Sequence, residues 1–69
     1  MAKKYHILAL RDNDGEWFCE FGAYDKADVR EEQSYYRRLY AAKNMQIISL
    51  DSEDYSAIND AVAALNKGK

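Results

Sequence analysis

The sequence contains no proline, one cysteine, one histidine and only three glycines. Without proline, nothing forces a helix to break or confines a strand to a sheet edge. A lone Cys19 excludes an intramolecular disulfide. It also points to a reducing, cytoplasmic setting, because small secreted domains commonly staple themselves. One His and one Cys cannot supply four metal ligands from a single chain, so no metal and no cofactor are expected. Gly15, Gly22 and Gly68 lie too far apart for a phosphate-cradling loop. No apolar run approaches the roughly 20 residues that cross a bilayer. The run after the basic Met1 to Lys4, from Ile7 to Leu10, is too short for a signal-peptide core. Positive charge is also in short supply, with Lys+Arg 10 against Asp+Glu 12 and a net charge of -2. Duplex nucleic acid is bound through basic surfaces, so the balance leans against that partner.

With 69 residues there is room for one domain, which at this size buries only about 60% of its unfolded surface. Alternation and turn signals predict strands over about 5–11, 16–22 and 45–50. Helical spacing predicts helices over about 26–43 and 53–66. Asp25 reads as the first N-cap, Asn44 as that helix's close, and Asp51 or Ser52 as the second N-cap. The chain is expected to fray from Asn66 onward, with Gly68 as a stop. The order β-β-α-β-α implies an α+β fold with a three-stranded antiparallel sheet in order 2-1-3 and both helices on one face.

Asp12-Asn13-Asp14-Gly15 marks a tight hairpin. A two-residue and a four-residue loop both pair even positions of the first strand with odd positions of the second. His6, Leu8, Leu10, Trp17, Cys19 and Phe21 then form one face. Tyr5, Ile7, Ala9, Arg11, Glu16, Phe18 and Glu20 form the other. Charges fall only on the second face, so the first is expected to be the core. The inner stripe of the first helix reads as Val29, Tyr36, Leu39 and Tyr40. That of the second reads as Tyr55, Ile58, Ala61, Val62 and Leu65.

Little here suggests catalysis. His6 and Cys19 fall among core residues, where a thiol is inert packing. Asp12, Asn13 and Asp14 are adjacent rather than alternating, unlike calcium ligands, and turn chemistry explains them. No carboxylate pair presents itself for acid–base work, so no enzyme is expected. Two binding surfaces remain. Tyr5, Ile7, Phe18 and Tyr35 are the candidate face for a protein partner, including a second copy of the chain, because an open half-apolar face marks an interface. Arg30, Arg37 and Arg38, with nearby tyrosines, are the alternative face for nucleic acid.

Trp17, Glu20, Phe21, Gly22, Tyr24 and Asp25 form a W-x-x-E-F-G-x-Y-D block. A charged helix and a K-x-x-x-I-I strand, Lys43 to Ile48, follow it. The arrangement resembles small phage and prophage hypothetical proteins. The resemblance implies a phage-related origin and, by analogy, an accessory role in binding a host or phage protein. It carries no site residue. The residues of the block read as a strand-to-helix joint, with Gly22 letting the chain leave the strand.

Overall fold

The structure, a computed structural model, describes residues 4–67. The expected stop at Gly68 lies outside them. Three strands and two helices follow in the expected order: β1 (Tyr5–Arg11), β2 (Trp17–Ala23), α1 (Lys26–Tyr36), a 3-10 turn (Ala42–Asn44), β3 (Met45–Leu50) and α2 (Tyr55–Lys67). The strands form one antiparallel sheet in the order β2-β1-β3. No helix among the described residues is long and apolar enough to cross a membrane.

The hairpin loop has three residues, which neither expected register allowed. Asp12 exchanges backbone bonds across the turn, its N–H donating to Glu16 at 2.9 Å and its C=O accepting from Gly15 at 3.0 Å. Gly15 has φ 84, the left-handed residue that follows a type I turn in a three-residue loop. The Asp12 carboxylate is spent on the same turn, accepting from the N–H groups of Asp14 and Glu16. An odd loop pairs residues of like parity: Leu10 lies opposite Phe18 and Arg11 opposite Trp17. A bulge then inserts Glu20 between the pairs Ala9–Cys19 and Leu8–Phe21, which restores the expected parity for the rest of the strand. Phe21 therefore faces as expected, whereas Phe18 exchanges sides with Trp17 and Cys19.

That exchange lets both faces of the sheet be covered. Leu8, Leu10, Val29 and Met45 form one buried cluster with Phe18, Phe21, Tyr36, Tyr40 and Ile47 packed on it, so α1 covers this side. Successive strand residues point to opposite faces, yet Ile7 and Ala9 are as fully buried as Leu8 and Leu10, all at 0% exposure. α2 contributes nothing to the first cluster and packs on β2 and β3. It is the cover of the Ile7 side, presenting Ala57, Ile58, Ala61, Val62, Leu65 and Asn66 as its half-buried stripe. The helices thus lie on opposite faces of the sheet, not on one. Each buried aliphatic contributes about 1.5–3 kcal/mol, so covering both faces collects more than covering one.

α1 ends at Tyr36, well short of residue 43. Eighteen helical residues would span about 27 Å, whereas the strand that the crossover retraces spans about 23 Å over 7 residues. The Tyr36 carbonyl accepts from both Leu39 and Tyr40, and the chain completes the return through the 3-10 turn. Leu39, past the end of the helix, is 67% exposed and not part of the stripe. Asn44 closes no helix; its side chain accepts from Arg11 Nε at 2.9 Å. The Asp25 cap stands as expected, its carboxylate accepting from the Ala27 N–H at 2.9 Å. Ser52 Oγ accepts from the Asp54 N–H, and the Asp54 carbonyl accepts from the Ile58 N–H to open α2.

Candidate functional site

The open sheet face expected from the sequence does not exist as a surface. Ile7 is buried beneath α2, and Phe18 packs into the core on the α1 side. Tyr5 is half-buried, its ring edge-on to Tyr24 at 5.0 Å and pressed over Gly22. Gly22 therefore serves close approach: a Cβ there would lie 2.8 Å from Cε2 and Cζ of Tyr5. It is not the exit from the strand, which continues to Ala23. Tyr35 is 67% exposed on α1 and belongs to none of these contacts. It borders a hollow of about 430 Å³ shared with Asp28, Glu31 and Glu32, an acidic setting that repels phosphate. Arg30, Arg37 and Arg38 stand exposed on α1 and just beyond it.

His6 and Cys19 are on opposite faces rather than together. His6 Nδ1 meets Ser49 Oγ at 2.7 Å across the β1–β3 pair. Cys19 is exposed, on the α2 side, with a long 3.8 Å bond from Sγ to the Phe21 carbonyl. Partial burial pushes its thiol above the ordinary range, the carbonyl bond pulls it down, and Glu20 adds to the rise. The Arg11 guanidinium lies 5.2 Å over the Trp17 ring and bonds Asn44 and the Lys43 carbonyl. No group of three or more His, Cys, Asp or Glu among the described residues is placed to hold a metal ion.

What the fold does build is a groove of about 640 Å³ between β2 and α2. Six consecutive residues of β2, Trp17 to Gly22, line it. Successive side chains point to opposite faces, so only the strand's edge is common to all six. The edge is open because β2 is an outer strand. The other wall is Tyr55, Ile58, Asn59, Val62, Ala63 and Asn66, one stripe of α2 at helical spacing. Tyr5 and Glu53 complete the lining. Tyr55, expected inside, is 83% exposed at the mouth.

Asn66 fixes the wall to the edge. Its Oδ1 accepts from the Trp17 N–H at 2.7 Å and its Nδ2 donates to the Trp17 carbonyl at 3.2 Å. Far from fraying, this residue makes the pair of bonds that a neighbouring strand would make. Only its place in register with the half-buried Ala57, Ile58, Ala61, Val62 and Leu65 hinted at such a role.

Comparison with known proteins finds no matching family model, no matching curated protein and no matching solved structure. The geometry of the groove therefore carries the functional argument.

Proposed function

We propose that the chain is a non-catalytic protein-interaction module that seats a polypeptide segment of its partner in the β2–α2 groove. The observation that carries the reading is the lining of that groove by six consecutive residues of an outer strand. An outer strand offers unpaired N–H and C=O groups, and adding a strand from a partner is a recurrent use of them. Trp17, Tyr5 and Tyr55 supply aromatic contact area of the kind that dominates protein interfaces. A free Cys19 supports a reducing, cytoplasmic setting. The phage resemblance of the W-x-x-E-F-G-x-Y-D block supports an accessory role toward a host or phage protein.

Selection from a random displayed peptide library tests this. Ala63 is exposed on the groove wall, so Ala63→Arg fills the groove without touching the core. Peptides enriched on the wild-type chain and lost on Ala63→Arg are the expected result. Enrichment that is equal on both, or absent on both, overturns the reading.

A further inference from the structure

The groove carries charge of one sign. Glu20 and Glu53 line it, and no lysine or arginine does. Among the described residues neither carboxylate is paired with a cation. The Tyr36 hydroxyl donates to Glu20 Oε1 at 2.9 Å, which holds that carboxylate on the α1 side, where Tyr36 packs. The one ion pair among the described residues, Lys4 with Asp51 at 3.2 Å, involves neither. A phenol occupies one lone pair of a carboxylate and leaves its charge in place. Two negative charges without a cation thus flank the strand edge, Glu20 on the α1 side and Glu53 beside α2.

The strand edge adds direction. Asn66 reaches the Trp17 N–H and C=O from the side away from β1, so those groups point outward. Along an antiparallel strand this direction alternates, which turns Cys19 outward next. The bulge at Glu20 follows, and the groove continues to Gly22.

We infer that the segment received in the groove, on the reading proposed above, is an extended basic strand that pairs along Cys19–Gly22 and sets lysine or arginine side chains against Glu20 and Glu53. Pairing β2 with its own twofold mate about Glu20 would place two carboxylates opposite each other, which destabilises a strand pair, whereas a basic strand meets them with opposite charge. Asn66 fills the edge at Trp17, so the added strand ends there.

The chain's single tryptophan, Trp17, lines the groove and reports on it by fluorescence. The probes are a capped hexapeptide with two adjacent lysines between valine pairs, so that both faces of the added strand carry charge, the same peptide with glutamate for lysine, and the lysine peptide N-methylated at alternate residues. The lysine peptide is expected to bind about tenfold tighter than the glutamate peptide at low salt, with the preference shrinking as salt is added. Glu20→Gln with Glu53→Gln removes most of that preference, with folding checked by circular dichroism. N-methylation weakens binding about tenfold by deleting edge hydrogen bonds. The inference is overturned if lysine and glutamate peptides bind alike, if the preference survives the double substitution, or if neither peptide binds at millimolar concentration. Library peptides that depend on an unblocked groove but are neutral or acidic would also overturn it while leaving the groove reading intact. A dimer in sedimentation whose formation changes Trp17 fluorescence would overturn it in favour of self-pairing.

Discussion

Two glycines make different demands of the chain. Gly15 needs a backbone, φ 84, that other residues adopt at a cost. Gly15→Ala should lower stability by about 1 kcal/mol in urea denaturation. Gly22 needs space, because the Tyr5 ring lies where a side chain would go. Gly22→Ala should cost about 1–3 kcal/mol through overpacking. The atom nearest the added methyl is the Tyr5 hydroxyl oxygen, so Tyr5→Phe in the Gly22→Ala background should recover part of the loss. A double-mutant cycle measures that coupling. Tyr36 makes a prediction about pH. Its hydroxyl bond to Glu20 raises the phenol above its ordinary value of 10.0, with desolvation and the Glu20 charge adding to the rise. A group raised in the folded state contributes in full below its unfolded value and loses that contribution as pH climbs through the folded one. Stability should therefore fall above about pH 10, and Tyr36→Phe should flatten that alkaline limb in denaturation curves. Asp25 was legible in the sequence because a cap acts on residues two or three away. Asn66 was not, because its partner lies 49 positions distant.

At the scale of elements, the strands and their order follow from alternation and turn chemistry, and the structure keeps all three. The faces did not follow, because parity depends on whether the loop holds an odd or even number of residues. A run such as Asp-Asn-Asp-Gly suits two, three or four. The bulge at Glu20 is silent for a similar reason: one extra residue changes pairing without changing composition. α1 came out shorter than its pattern because the sheet, not the helix, sets the length of the crossover. The join between α2 and β2 rests heavily on one amide. Asn66→Ala removes both bonds to Trp17 and should cost about 1–3 kcal/mol. Hydrogen exchange at the Trp17 amide should accelerate more than at the β1 amides, which distinguishes a released edge from general loosening.

For the whole molecule, the central strand supplies the core to both sides. Ile7→Ala and Leu8→Ala should each cost about 2–5 kcal/mol. A cost near 0.5 kcal/mol for Ile7→Ala, usual for surface sites, would mean that the Ile7 side is open. This was not legible in the sequence, where the charges at Arg11, Glu16 and Glu20 mark a wet face. In the folded chain Arg11 lies over Trp17 at the sheet's margin and Glu20 sits in the bulge. Charges at the rim of a strand say little about its middle.

Placing one helix on each face also sets an order of events during synthesis. α1 lies within the chain before β3, so the Leu8 side of the sheet can close as soon as β3 arrives. The Ile7 side must wait for α2, which follows β3 in the chain. During that interval the emerging polypeptide presents a bare apolar sheet surface and an unclamped edge at Trp17. For a nascent chain, α2 is therefore its own chaperone.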